Sequence, residues 1–178
     1  MSKDQLILSL QWVVDHEVVV CKLFNRVSRR VGIRMFFVSV SELGNGNAWY
    51  VLILFLPLVY GQSAFTTSFL MVKVGLVNLL LYKVIKQLTG RLRPCAVNLS
   101  IDMGTAPLDQ YSFPSGHTMH AVAFSMVATA HHPDLAWVLV PFTSLIAMSR
   151  IVLGLHYPTD VIAGGLIGGW VASVMMPS

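Results

Sequence analysis

Three polar clusters interrupt an otherwise apolar chain: "KQLTGRLRP" at 86–94, "PSGH" at 114–117 and "SRIVLGLHYPTD" at 149–160. Lys86, Arg93 and Arg150 are cations without acidic neighbours in matching number. Gathered at a membrane edge they would repel one another unless an anion lay between them. Phosphate fits, because it suits both the planar fork of Arg and the point charge of Lys. Ser115 and Gly116 stand where an apolar helix begins, so unpaired backbone N–H groups favour the same anion. Gly116, lacking a Cβ, permits close backbone approach. Histidine supplies what phosphate binding lacks, a nucleophile and a proton donor. His156 and Asp160 are four residues apart with Pro158 between them. Proline suits the first turn of a helix, which puts His156 just before the helix and Asp160 in its opening turn. The carboxylate can then fix one ring nitrogen and leave the other for substrate. His117, carried on a different helix, can protonate a leaving oxygen. Nucleophile, orienting carboxylate, acid and anion cage make a phosphoryl-transfer site without a metal.

The elements that must position these groups are helices in lipid. Of 178 residues, 55% are hydrophobic and only 11% charged, too little polar surface for an ordinary soluble domain. Candidate spans run over 64–86, 116–130, 135–153 and 160–176, with a further one near 46–60. Ahead of that last span, "GNGN" breaks the pattern and predicts a short helix, a turn, then the span. Residues 4–24 read as an amphipathic helix on the bilayer surface, since a spanning reading would put Asp15, His16 and Glu17 near midplane. The expected fold is all-α, one membrane-embedded domain over 1–178 with five to six membrane helices. Residues 1–34 form its N-terminal segment and 86–160 its motif region. Alternation of the spans brings all three polar clusters to one membrane face, where they can converge.

At these residues the sequence resembles the type-2 phosphatidic acid phosphatase superfamily. That family's pattern is Lys-x6-Arg-Pro, Pro-Ser-Gly-His and Ser-Arg-x5-His-x3-Asp, and all three blocks are present in order. The resemblance implies that His156 is a nucleophile forming a phosphohistidine, that Asp160 orients it, and that His117 is the general acid. It also implies that Lys86, Arg93, Ser115, Gly116 and Arg150 hold the phosphate oxygens, and that no cofactor or divalent metal is needed. The implied activity is that of an integral-membrane lipid phosphatase. Undecaprenyl diphosphate, phosphatidylglycerol phosphate, phosphatidic acid and lipid A phosphate are the candidate substrates, each entering sideways between helices. The alternatives are a phosphotransferase with a lipid acceptor and a small anion-binding transporter. The transporter would line a path through the midplane with charge, yet only Lys73 sits deep.

Other residues take plainer readings. His120 lies one turn beyond His117, outside the motif, and is expected to pack or touch substrate. Lys83 and Arg91 are expected to face lipid headgroups, Lys73 and Asn78 the bundle interior, and His131 and His132 a solvated loop. "AGGLIGGWVAS" holds two small-xxx-small patterns, Gly164/Gly168 and Gly165/Gly169, read as tight packing within the chain rather than a dimer interface. Net charge is +4, but the basic residues gather beside apolar segments, so the expected partners are the bilayer and a membrane lipid, not nucleic acid. Two cysteines, Cys21 and Cys95, support neither a disulfide framework nor a zinc site. Lys22, Arg26, Arg29, Arg30 and Arg34 share the face of the site, which the positive-inside rule would make cytoplasmic. The resemblance implies the opposite, a site facing the periplasm or exterior of a bacterial inner membrane, and that is the expectation adopted.

Overall fold

The structure, a computed structural model, describes the backbone of residues 3–107 and 109–176 and side chains from Val14 onward, Leu108 excepted. It is all-α. Helix α1 spans Lys3–Val27, α2 Val31–Glu42, α3 Ala48–Tyr60, α4 Ala64–Thr89, the single turn α5 Pro94–Val97, α6 Gly116–His131, α7 Ala136–Val152 and α8 Pro158–Met175. Among the described residues, four runs are long and apolar enough to cross a membrane: Val31–Tyr60, Ala64–Thr89, Pro133–Val152 and Pro158–Met175. Helix α6 has 16 residues, about 24 Å at 1.5 Å per residue, short of a typical hydrocarbon core. It is the centre of the bundle, packed against α4, α7 and α8.

Alternation of small and large residues lets these helices close on one another. In lipid, helix association depends on close packing more than on exclusion of water. A Cβ on Gly168 would lie 2.1 Å from the Met119 carbonyl oxygen, and one on Gly164 would lie 2.5 Å from that of Ser115. Gly165 and Gly169 face Val122 and Met126 of the same helix α6. All four glycines are therefore used inside the chain. Large side chains such as Leu58, Phe65, Leu80, Trp137, Leu166 and Trp170 remain exposed around the bundle, an arrangement that lipid, not water, accommodates.

Helix α1 buries Glu17, Cys21 and Asn25, spaced along one face and followed by the buried Ser28 just past its end, and exposes Val14, Val19, Leu23 and Val27. Its polar face thus turns inward onto α7, α8 and the loop at 101–104, and its apolar face outward. Asn25 donates to the carbonyls of Asp102 (2.9 Å) and Val152 (3.0 Å) and accepts from the Asp102 N–H (2.8 Å). The amphipathic character expected of residues 4–13 lies outside the described side chains. At the opposite face Tyr60 hydrogen-bonds Asp134 and stacks on His132, with ring centroids 4.1 Å apart. That contact ties the α3–α4 connection to the α6–α7 connection.

The break expected at "GNGN" is present as a kink rather than a separate turn: α2 and α3 meet across Leu43–Asn47, where Gly46, at φ 126°, leaves helical geometry. One local expectation is corrected. Lys73 does not face the interior. It is exposed on α4, with its ammonium 4.5 Å above the Phe69 ring. Asn78 is buried as expected, and neither amide atom has a partner among the described residues.

Candidate active site

The three motif segments converge on the face that α1 covers. Lys86 closes α4, whose last turn is capped by Gly90 in the left-handed conformation (φ 57°). The chain then runs extended through Arg91–Arg93, where Leu92 forms a β-bridge with Tyr111. The Ser112 N–H donates to the Arg91 carbonyl at 2.7 Å. This stitches the first cluster to the loop entering α6. The third cluster depends on Gly154, at φ 71°. A Cβ there would meet Ile101 Cγ2 at 2.6 Å and the Asp102 carbonyl oxygen at 2.9 Å, so the reversal after α7 demands glycine. The reversal returns His156, whose N–H donates to the Arg150 carbonyl at 3.1 Å.

His156 is almost fully buried. Arg93 Nη1 lies 3.1 Å from its Nε2 and also donates to the Leu155 carbonyl at 2.9 Å. A guanidinium can only donate, so Nε2 is the acceptor and the proton sits on Nδ1. Burial, then the charges of Arg150, Arg93 and Lys86, hold the ring's pKa well below its ordinary 6.5. The imidazole is therefore neutral with a lone pair at Nε2, the form a nucleophile needs. Asp160 Oδ2 lies 3.6 Å from Nδ1, on the proton's side but beyond hydrogen-bond range. That carboxylate accepts from the Tyr157 N–H (2.8 Å) and from Arg91 Nη1 (2.8 Å).

Lys86 and Arg93 are not without an acid. Asp109 accepts from Lys86 Nζ at 2.7 and 2.8 Å and from Arg93 Nη2 at 3.0 Å. Burial alone would raise the Asp109 pKa. Hydrogen bonding to Lys86, with the charges of Lys86 and Arg93, overcomes this and pulls it below the ordinary carboxylate value. Arg150 has no acidic partner among the described residues. Its Nη1 donates to Ser41 Oγ, while Nε is buried and unpaired; the residue lines the same cavity as Lys86 and Arg93.

Among the anticipated phosphate ligands, Gly116 lines the cavity with His117. Ser115 is buried as the N-cap of α6. Its hydroxyl lies 3.0 Å from Thr118 Oγ1 and accepts from the Thr118 N–H at 3.5 Å, and its own N–H donates to the Asp160 carbonyl at 2.9 Å. Its side chain thus secures the helix start and leaves the free N–H groups to the residues after it. His117 hydrogen-bonds Asn45 through Nε2. His120 bridges the Gly116 carbonyl (2.9 Å) and the Gly75 carbonyl of α4 (3.3 Å), a packing role.

Arg91 departs from the headgroup-facing expectation. It pairs with Glu17 at 2.6 Å and Asp160 at 2.8 Å, donates to Thr159 Oγ1 at 2.8 Å, and lies 4.0 Å over the Tyr157 ring. Four side chains of this site carried no signal in the sequence reading: Asp109, Ser41, Asn45 and Glu17. None lies in a motif, and each meets its partner only through the fold.

The cavity these groups share has a volume of about 570 Å³. Lys86, Arg93, Arg150, His117 and His156 form its polar end. Its remaining wall is largely apolar, with Trp49, Ile53 and Leu54 from α3 and Val72, Leu76 and Leu79 from α4. Leu54, Val72 and Leu76 are also exposed on the outer surface, so the cavity opens sideways between α3 and α4.

Known proteins share this architecture. The chain is 28% identical over 151 residues to an undecaprenyl-diphosphatase of Sulfolobus acidocaldarius, covering 84% of this chain and 70% of that protein. It is 39% identical over 83 residues to a decaprenylphosphoryl-5-phosphoribose phosphatase of Mycolicibacterium smegmatis, covering 46% of this chain and 43% of the other. To a lipid A 1-phosphatase of Rhizobium etli it is 33% identical over 95 residues, covering 51% and 41%. The matches to these last two span less than half of their length. Two crystal structures, each 24% identical, share the fold. They are a PAP2-type phosphatidylglycerolphosphate phosphatase from Bacillus subtilis, with a TM-score of 0.72 over 96% of this chain and 89% of that one, and LpxE of Aquifex aeolicus, with a TM-score of 0.76 over 87% and 91%. Residues 66–178, which carry every motif residue named above, match the PAP2 superfamily, and the chain, an integral membrane protein, belongs to it.

Proposed function

We propose that this protein is an integral-membrane lipid phosphatase that removes a phosphoryl group from a phosphomonoester or diphosphate lipid through a phosphohistidine on His156. One observation carries the reading. A single cavity joins a cationic, histidine-bearing end to an apolar wall that opens sideways into the lipid. That shape fits an amphiphile with phosphate at one end and long chains at the other. The relatives are named for undecaprenyl diphosphate, lipid A and phosphatidylglycerolphosphate phosphatase activities. Their substrates share those two parts and little else.

In this mechanism the phosphate oxygens displace Asp109 from Lys86 and Arg93 and engage the Arg150 guanidinium and the first N–H groups of α6. The lone pair of His156 Nε2 attacks phosphorus, the bond from phosphorus to the leaving oxygen breaks, and His117 protonates that oxygen. Asp160 and Arg93 flank the ring as it takes positive charge. The three cations hold the developing equatorial charge. Water, deprotonated by His117, then attacks the phosphohistidine, and the N–P bond breaks to free inorganic phosphate and restore the ring.

The test is phosphate release by purified protein in detergent with EDTA, across a panel of phosphorylated lipids, beside His156→Ala. Release that survives chelation and disappears in the variant supports the reading. Release that requires an added acceptor lipid would favour phosphotransfer, and a fully active variant would refute the mechanism.

We place the site on the periplasmic or exterior face of a bacterial inner membrane. Two of the basic residues that argue for the cytoplasm serve the catalytic-face loop instead. Arg34 donates to the Gly104 carbonyl at 3.1 and 3.2 Å, and Arg29 pairs with Asp102 at 3.6 Å. Cys95 is half-buried and burial raises its thiol pKa, so it reacts slowly. Leu99, almost fully exposed on the same loop, is the better probe. Leu99→Cys in a Cys95→Ser background should be labelled in intact cells by an impermeant maleimide. Protection until lysis would place the site inside.

A further inference from the structure

Residues 41–47, "SELGNGN", precede the 66–178 region that matches the family and contain none of its motifs. Yet they send two side chains into the active site. Ser41 Oγ accepts from Arg150 Nη1, and Asn45 Oδ1 bonds His117 Nε2. The two residues are four apart on a helical path, so they share one face. Just beyond Asn45 the backbone leaves helical geometry at Gly46 and kinks into α3. The glycines account for how the segment reaches so far in. Gly44 is buried, and a Cβ there would press on the Ile146 side chain at 3.3 Å. Gly46 takes its positive φ beside the Tyr50 ring, which a Cβ would meet at 2.9 Å.

We propose that this segment is a positioning arm of the active site, in which Asn45 sets the general acid and Ser41 sets the phosphate-binding guanidinium. The inference rests on the phosphatase reading above. A ring N–H donates to an amide oxygen, so the Asn45 contact fixes the proton on Nε2 of His117 and turns Nδ1 toward the cavity. When the ring takes a second proton, that proton sits on Nδ1, and the imidazolium delivers it from there to the leaving oxygen, returning to the Nε2–H neutral form that later accepts a proton from water. Ser41 occupies Nη1 of Arg150, which fixes the plane of the guanidinium and leaves its remaining donors for the phosphate. Neither residue is catalytic in itself. Each acts through the residue it holds.

The two roles separate by leaving group. An alkyl phosphate expels a strongly basic alkoxide and depends on the acid, whereas p-nitrophenyl phosphate expels a stabilised phenolate and hardly does. Asn45→Leu is expected to lower kcat on dodecyl phosphate at least about tenfold while changing it less than about threefold on p-nitrophenyl phosphate. Ser41→Ala is expected to lower kcat/KM on both by a similar factor, because both carry the phosphoryl group that Arg150 holds. Asn45→Asp keeps an oxygen acceptor and should retain the wild-type ratio of the two rates, which serves if the leucine variant does not fold. Equal losses on both substrates in Asn45→Leu, or no loss on either, would overturn the role of Asn45. A leaving-group-dependent loss in Ser41→Ala would overturn that of Ser41. Wild-type protein inactive on every phosphate ester would instead remove the phosphatase reading itself.

Discussion

Replacing Arg91 by methionine removes one guanidinium that serves two buried carboxylates. Glu17 and Asp160 are 8% and 0% exposed at the side chain, and their contacts to Arg91 are 2.6 and 2.8 Å. Glu17 would keep the Thr159 N–H (2.8 Å) and hydroxyl (2.6 Å), and Asp160 the Tyr157 N–H (2.8 Å), but neither would retain a counter-charge. Breaking a buried pair from one side costs about 3–5 kcal/mol. With the guanidinium 25% exposed, Arg91→Met belongs at the lower end, about 3 kcal/mol. Glu17→Gln keeps the Thr159 contacts through its amide oxygen but loses the charge and turns its NH2 toward the donor Arg91 Nη2. With that guanidinium partly open to solvent, the change costs about 1 kcal/mol.

The double variant decides whether this is a network or two unrelated contacts. Once Glu17 is neutral, the loss of Arg91 strands one carboxylate instead of two. The pair should then cost roughly 1–2 kcal/mol less than the sum of the single changes. Thermal unfolding in detergent, followed by tryptophan fluorescence, reads this. Arg91→Met should fall by roughly 6–12 °C, taking about 2–4 °C per kcal/mol for a chain of this size. Glu17→Gln placed on top of Arg91→Met should cost nothing further or restore part of the loss. Additivity within about 0.5 kcal/mol would refute the coupling. It would also sever α1 from the Asp160 carboxylate that flanks the nucleophile.

Gly168→Ala should destabilise by about 1–3 kcal/mol, because its Cβ falls on the Met119 carbonyl and α6 must move away from α8. Gly165→Ala, whose Cβ meets only side-chain atoms at 3.8 Å or more, should shift the unfolding midpoint far less, and the two compared in one detergent check the packing. The depressed pKa of His156 puts the acid limb of kcat/KM below pH 6.5, read from a pH–rate profile on a monoester. For stability the sign follows from proton counts. Below 6.5 the native ring binds fewer protons than the unfolded one. This contribution is therefore complete above 6.5 and lost as pH falls toward the folded value, and His156→Gln should remove that part of the acid sensitivity. Leu76→Trp, at the opening between α3 and α4, should raise KM for a long-chain lipid phosphate by a larger factor than for a short-chain one. An equal effect on both would place the substrate's chains elsewhere.

The residues proposed to touch phosphorus or its oxygens were legible because chemistry restricts their types. A nucleophile, an acid and an anion cage leave few choices, and the helices that carry them must be long and apolar in lipid. The residues that hold these groups in place were not legible, because a donor or acceptor can come from many side chains and from any part of the chain. Asn45, Ser41 and Glu17 lie 72, 109 and 74 residues from His117, Arg150 and Arg91 respectively. In "GNGN" glycine and asparagine lower helix propensity, so the stretch reads as a break. The break is there, at Gly46, but nothing in the stretch itself says that Asn45 reaches His117. Arg91 shows the same limit within a recognised block: Lys86 and Arg93 line the cavity, whereas Arg91 pairs with Glu17 and Asp160. Asp109 is the sharpest case. In sequence it is one acid in a loop, no different from Asp102. In the fold it fills the space between Lys86 and Arg93, where a substrate's phosphate would sit. Two of the three cations singled out for lacking an anion have one of their own, and on the proposed mechanism a substrate must displace it.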